Sequence, residues 1–287
     1  MLQDFRLNVC IVGLGLIGSS YARALKKFTK GKVIGLDISE ETIKLAVEKN
    51  IIDEGYIDPG LALKNADIVI LAVYPDLTEK FVIENMDIFK KGAVITDSAG
   101  IKGSIINTIN KALRDDLDFV GGHPMAGKEG SGLENGCDSI FKGANYLITP
   151  TKRNREDSIV IVEDIARAIG CKNIVRISPE EHDRIIAYTS HLPHILAVAL
   201  VNSDILNKDT SLFVAGSFRD ATRVADINAG LWTELIMQNK EYVIEQLSIF
   251  ESNIAELKNF IASGDNSSVY SKLEEARDKK RGIKIYV

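Results

Sequence analysis

Short, fully apolar runs alternate with amphipathic stretches along the first half of this chain. Residues 8–12 (NVCIV), 32–36 (KVIGL), 68–73 (IVILAV) and 93–96 (AVIT) each predict a strand, and 119–121 and 146–149 continue the series. Between the first strands, 16–27 and 40–50 carry helical spacing, and 155–169 with 173–177 adds one more helix and strand. Strands that alternate with helices predict βαβ units and a parallel sheet. Strands without a polar face predict a sheet covered on both sides. The pattern changes after Ser178-Pro179. From there the apolar positions recur only at helical spacing, over 179–206 (interrupted at Pro193, where a kink is expected), 210–213, 220–228, 230–261 and 267–281. The expected organisation is an α/β domain over 1–178 followed by an all-α domain over 179–287.

Composition adds limits to this picture. The chain has 287 residues, 45% hydrophobic and 26% charged, with a net charge of −5. That is ample for the core of two domains, and it argues against a nucleic-acid partner. No signal segment is expected at the start, and no apolar stretch reaching the roughly 18 residues of a membrane span. Cys10, Cys137 and Cys171 are odd in number and share no metal-like spacing. They are expected to be free, buried thiols of a reducing cytoplasm.

The first strand runs into Gly13-Leu14-Gly15-Leu16-Ile17-Gly18, a G-x-G-x-x-G loop that opens a helix. Asp37 follows the second strand, about 20 residues on. This strand–loop–helix–strand context gives each residue a task, and it predicts a Rossmann-like dinucleotide site. Gly13 permits the tight turn, Gly15 lets a diphosphate approach the backbone, and Gly18 lets helix and strand pack closely. The helix start attracts the diphosphate. Asp37 accepts hydrogen bonds from the adenosine ribose and repels a 2′-phosphate, which favours NAD over NADP. Tyr74, Asp97 and Ser98 follow later strands and are expected at the nicotinamide end, with plain loop solvation as the alternative for each.

Four histidines remain to be placed. His123, in FVGGHPMAGKEG, follows a strand and so shares the rim of the glycine loop. A neutral imidazole there takes a proton or accepts a hydrogen bond; the alternative is a histidine that merely fixes a turn. His182, in SPEEHDR, is expected to be a solvated residue at a helix start. His191 and His194, in SHLPH, are three apart on one helical face. A third ligand is missing, so no metal is expected, and a buried core pair is the alternative to a substrate role. Arg219 and Arg223, in FRDATR, lie four apart around Asp220 and suit a carboxylate, unless they form a solvated helix face. Trp232 is the one tryptophan, a residue type more often found in a core than against a substrate.

Taken together, VGLGLIG, GGHPMAGKEGSG, SHLPH and FRDATR followed by LW resemble the prephenate dehydrogenase family of tyrosine biosynthesis, over nearly the whole chain. The resemblance implies a Rossmann-like amino-terminal domain and an all-α dimerisation domain that forms a homodimer. It implies NAD-dependent oxidative decarboxylation of prephenate to 4-hydroxyphenylpyruvate. It also implies that His123 polarises the substrate hydroxyl and that Arg223 binds the ring carboxylate. Ser190, His191 and His194 are then expected at the substrate side chain, with Glu129, Arg219 and Asp220 in an ionic group at the cleft mouth and Trp232 keeping the pocket apolar.

One position departs from the pattern. Many members carry a serine after the fourth strand that hydrogen-bonds the catalytic histidine; aligned on Lys102, that position here is Gly100, and Ser98 two residues earlier is the expected substitute. After the last helical pattern only GIKIYV remains, so neither a regulatory domain nor a fused chorismate mutase is expected. Three other readings stay open. Arogenate dehydrogenase performs the same chemistry on an amino acid side chain. A β-hydroxyacid dehydrogenase shares the domain plan, but its catalytic lysine motif is missing. A nonenzymatic NAD sensor would have no use for His123 and Arg223.

Overall fold

A computed structural model describes residues 6–128, 130–203 and 210–283. It divides into two compact units, one through Asp183 and one from Arg184. The first unit holds, in chain order, β1 (Val9–Val12), α1 (Leu16–Leu25), β2 (Val33–Leu36), α2 (Glu40–Glu48), β3 (Glu54–Tyr56), α3 (Pro59–Lys64), β4 (Ile68–Leu71), α4 (Pro75–Glu84), β5 (Val94–Asp97), α5 (Gly103–Ala112), β6 (Asp118–Pro124), β7 (Asn145–Thr149), α6 (Glu156–Ala168) and β8 (Asn173–Arg176). One eight-stranded sheet runs in the order β3-β2-β1-β4-β5-β6-β7-β8. The chain starts in the middle and winds outward in both directions, as a doubly wound dinucleotide fold does. The central strands β1, β2, β4 and β5 are buried at every residue, as the apolar runs of the first three predict; in β5 the polar Thr96 and Asp97 are buried as well. Strand alternation sends Val9 and Ile11 to one face, where they join Tyr21, Leu25, Val162 and Ile165 of α1 and α6.

The sheet is not wholly parallel, contrary to the expectation from the sequence. β7 runs antiparallel to β6, with Gly122 opposite Ile148 and His123 opposite Leu147, and β8 pairs parallel to β7. A parallel return needs a crossover, usually a helix. The link from β6 to β7 has only a 3₁₀ turn at Leu133–Asn135 among its described residues, so the chain doubles back beside the strand it has left.

The second unit is helical. α7 (Pro179–Ile186) passes through a π-helical turn (Ala187–His191) into α8 (Leu192–Asn202), and the division between units falls within α7. Pro193 has no N–H for the carbonyl one turn back, and the π turn lies where that bond is lost. α9 (Gly216–Thr222), the 3₁₀ turn Arg223–Ala225, α10 (Ala229–Gln238), α11 (Lys240–Ser263) and α12 (Asn266–Gly282) follow. The single helix expected over 230–261 is thus two, broken at Asn239.

Two expectations from composition need correction. Helix Pro179–Asn202 is, by length and composition, long and apolar enough to cross a membrane, although no such stretch was expected. Residues 185–202 carry histidines, hydroxyls and Pro193, but no charged side chain to break the stretch. Core helices of soluble proteins share this length and composition. Among the thiols, Cys10 and Cys171 are buried, but Cys137 is half-exposed.

Candidate active site

Parallel strands bring the candidate groups of the first unit to one end of the sheet. Gly13 leaves β1 at φ +85°, and a Cβ there would lie 2.7 Å from the Ala72 carbonyl oxygen. At Gly18 a Cβ would meet the Gly13 carbonyl oxygen at 1.8 Å. Both glycines are therefore demanded by protein packing. Gly15 is different: a Cβ there would meet nothing within 4 Å. The protein does not fill that space, which is the approach a diphosphate needs. The helix starts at Leu16 without a side-chain cap, so the first backbone N–H groups at Leu16 and Ile17 face the loop.

Asp37 lies at the end of β2. Its Oδ2 accepts from the Leu14 N–H at 2.8 Å and its Oδ1 from the Ser39 N–H at 3.0 Å, which holds the carboxylate at the edge of the cleft. Leu14 itself has a core side chain and contributes its N–H to Asp37. The cleft beside Asp37 has a volume of about 520 Å³ and is lined by Gly13, Ile38, Tyr74, Leu77, Phe81 and others. Tyr74 lines the same cleft as Asp37.

Asp97 is displaced from its expected role. It is completely buried, pairs with the ammonium of Lys102, and accepts the Ala99 N–H at 3.0 Å and the Gly122 N–H at 3.1 Å. Lys102, equally buried, donates further to the Ala99 and Ile101 carbonyls at 2.8 and 3.0 Å. The pair braces the loop after β5 from inside. Nothing in the sequence beyond a lysine among apolar residues marks it. Gly121 and Gly122 precede His123 in β6. A Cβ on Gly122 would meet Tyr146 Oη at 2.5 Å and the Asp97 carbonyl oxygen at 2.9 Å, so β6 is packed tightly against its own neighbours.

His123, half-buried near the carboxyl end of β6, has a partner that the sequence did not indicate. Its Nδ1 lies 2.9 Å from Nε2 of His182, the rings meeting edge to face at 5.2 Å between centroids. His182 is fully buried, contrary to its expected solvation, and its Nδ1 is 2.7 Å from Asp183 Oδ1. Burial lowers the pKa of His182, against the raising effect of Asp183. Ser98 does not take the serine's place: its hydroxyl donates to the Leu71 carbonyl at 3.3 Å.

In the second unit the π turn and α8 present Ser190, His191 and His194. The His194 ring stacks on Trp232 with centroids 3.7 Å apart, and His191 meets Trp232 edge-on at 6.1 Å. His194 Nδ1 donates to the Ser190 carbonyl at 2.8 Å, so in the neutral ring Nε2 is an acceptor. Burial lowers the pKa of His194, and nearby Arg223 lowers it further, while the Ser190 carbonyl opposes both. Asn239, buried at the α10–α11 break, lies 3.2 Å from His191 Nδ1 and was not foreseen. The 3₁₀ turn that begins at Arg223 packs on α8. Arg219 and Asp220 are exposed on α9, and Glu129 lies outside the described residues.

Comparison with known proteins gives this geometry a family. Residues 21–175 match the nucleotide-binding domain of prephenate dehydrogenase, and 178–275 match its dimerization domain. A prephenate dehydrogenase of Bacillus subtilis is 30% identical, over 99% of this chain and 78% of that protein. A cyclohexadienyl dehydrogenase of Zymomonas mobilis is 32% identical over 96% of each. The crystal structure of prephenate dehydrogenase from Aquifex aeolicus, in complex with hydroxyphenyl propionate and NAD+, superposes with a TM-score of 0.88 at 32% identity, over 97% of this chain and 98% of that one. Matched in both of its domains and over nearly its full length, the chain belongs to the prephenate dehydrogenase family.

Proposed function

We propose that this protein is an NAD-dependent prephenate dehydrogenase, converting prephenate to 4-hydroxyphenylpyruvate, carbon dioxide and NADH in tyrosine biosynthesis. The observation that carries the reading is the placement of the Gly13–Gly18 cradle, Asp37 and His123 at the carboxyl ends of strands in one sheet. NAD, when bound, supplies the hydride acceptor. The backbone from Gly13 to Gly18 receives its diphosphate, and Asp37 receives the adenosine ribose.

The rest of the chemistry belongs to the protein. As hydride leaves the ring carbon that bears the hydroxyl, its oxygen gains carbonyl character and its proton must be drawn off. His123 accepts that proton. The ring then loses its carboxylate as carbon dioxide, and the released electron pair makes it aromatic. Arg223 suits the ring carboxylate as a planar, bidentate cation. Ser190, His191 and His194 take the side-chain end, and Trp232 holds both imidazoles and keeps water from the ring. Arg219, Asp220 and Glu129 are assigned to the mouth of the site. We assign 1–178 to the NAD-binding Rossmann-like domain and 179–287 to the helical substrate and dimerisation domain, with the compact units dividing a few residues later, after Asp183.

A homodimer in the cytoplasm completes the proposal. α11 has 24 residues and buries only Val243, while Ile244, Ile249, Ile254 and Ile261 along it stay exposed. Ile254 and Ile261, seven residues apart, share one side of the helix, and exposed apolar side chains of this size are expected against a second copy of the chain. The apolar helix Pro179–Asn202 is read in the same way, as part of a shared core.

Arogenate, with an amino group in place of the side-chain keto group, is the competing substrate. Steady-state NADH formation with each compound decides between them. A specificity constant at least about tenfold higher for prephenate is expected; the reverse preference makes the enzyme an arogenate dehydrogenase, and activity with neither removes the proposal.

A further inference from the structure

The acceptor role proposed for His123 demands one tautomer of the neutral ring, with the proton on Nδ1 and the lone pair on Nε2. The side chains behind the ring supply it through a directed chain of hydrogen bonds, which starts at Asp183. That carboxylate accepts the Lys102 N–H at 2.9 Å on Oδ1 and the Gly103 N–H at 2.8 Å on Oδ2, at the start of α5. Two backbone N–H groups at the start of a helix donate to it, and a carboxylate oxygen can only accept. His182 Nδ1, 2.7 Å from Oδ1, must therefore carry a proton. His182 is completely buried, and burial disfavours the doubly protonated ring, with the Lys102 ammonium acting in the same sense and Asp97 and Asp183 against it. A neutral His182 protonated on Nδ1 has an acceptor at Nε2. The group 2.9 Å from that atom is His123 Nδ1, which must then donate.

We propose that His182 and Asp183 are positioning residues that hold His123 as the Nδ1-protonated tautomer and so make Nε2 the base of the reaction. The inference rests on the reading of His123 given above, and it deepens it. The serine that does this service in relatives is absent at Gly100, and Ser98 is turned to the Leu71 carbonyl. A histidine–aspartate pair reached from the next domain boundary replaces a hydroxyl reached from the neighbouring strand.

The proton path balances. The substrate hydroxyl proton passes to His123 Nε2 as hydride departs to the nicotinamide. His123 is then an imidazolium whose Nδ1–H still bonds His182 Nε2, with Asp183 beyond to offset the charge. The bond to the ring carboxylate breaks, its electron pair enters the ring, and the phenolate oxygen recovers the proton from Nε2. No proton is gained or lost overall.

The test uses the full-length protein labelled with [15N]histidine, in which only four rings report. Two-bond ¹H–¹⁵N correlation spectra, assigned with His123→Asn, are expected to show His123 protonated at Nδ1 and unprotonated at Nε2, with no substrate present. The opposite tautomer overturns the inference whether or not the enzyme oxidises prephenate. Kinetics give the second arm. His182→Leu is expected to lower kcat by roughly 10- to 100-fold with KM within about threefold, and to move the acid limb of the kcat/KM profile to lower pH, because the imidazolium loses its acceptor. His182→Gln, whose amide oxygen can stand where Nε2 stood, is expected to recover most of the loss. Wild-type kcat and an unmoved limb in His182→Leu overturn the inference, as does a glutamine variant no better than leucine. Should the leucine variant not fold, the tautomer spectrum of the wild type still decides.

Discussion

At the scale of single residues, charge and burial separate groups that look alike in sequence. His123→Asn is expected to reduce kcat by about 100-fold or more with little change in KM, since the proton acceptor is needed most in the transition state. Arg223→Ala is expected to raise KM strongly with a smaller change in kcat, because a substrate carboxylate loses its cation. Steady-state kinetics with prephenate check both, and a pure kcat effect at Arg223 removes its binding role. The cysteines give a test independent of activity. Burial pushes the Cys10 and Cys171 thiols up to about 12, whereas the Ser139 hydroxyl beside half-exposed Cys137 lowers that thiol. Native protein at pH 8 is expected to release one equivalent of chromophore from a disulfide reagent within minutes, and three after unfolding. His123 was legible in the sequence as a histidine at a strand end. The pair behind it was not: His182 and Asp183 read as polar residues of a helix start, and only a partner 59 residues away shows that they are buried.

At the scale of elements, the glycines show where a motif is legible and where it misleads. Gly13, Gly15 and Gly18 are legible as a motif because all three lie within one strand–turn–helix, although Gly13 is also crowded by Ala72 and Val73 beyond β4. Gly121 and Gly122 belong to no such motif, and their neighbours come from β5 and β7. Gly122→Ala is expected to destabilise the first unit by about 3 kcal/mol, since Tyr146 and the Asp97 carbonyl leave no room for a methyl group. Urea unfolding measures this, and a change below about 0.5 kcal/mol means that β6 is more loosely packed than described. The reversed direction of β7 escaped the sequence for a related reason. An apolar strand reads the same in either direction, so only the absence of a crossover decides how it pairs. The break between α10 and α11 was hidden in the same way, because both flanking segments keep helical spacing.

For the whole molecule, pH and association are the properties to test. His182 has its folded pKa held below the usual histidine value. The unfolded chain therefore binds the proton more readily, and stability from the neutral ring is complete above the unfolded pKa of about 6.5 and is lost as pH falls below it. The melting temperature is expected to fall between pH 7.5 and 5.5, and to fall less steeply in His182→Gln; equal slopes remove His182 as a source of the dependence. Light scattering is expected to give about twice the 31.5 kDa chain mass. Charged replacements at Ile254 and Ile261, which share one side of α11, are expected to shift the protein toward monomer if that side belongs to the shared surface.

The sequence by itself determined the alternation that makes a Rossmann-like unit, the helical second half, the dinucleotide loop with Asp37, and the placing of His123 on its rim. Each depends on spacing within a few tens of residues, where backbone periodicity and turn chemistry act alone. Tertiary structure alone decided which face of each polar residue is satisfied, and by whom. It buried Asp97 against Lys102, turned Ser98 to a carbonyl, stacked His194 on Trp232, and set His182 and Asp183 behind His123. A buried polar group must find its partner wherever the fold brings one, and that partner need not be near in the chain.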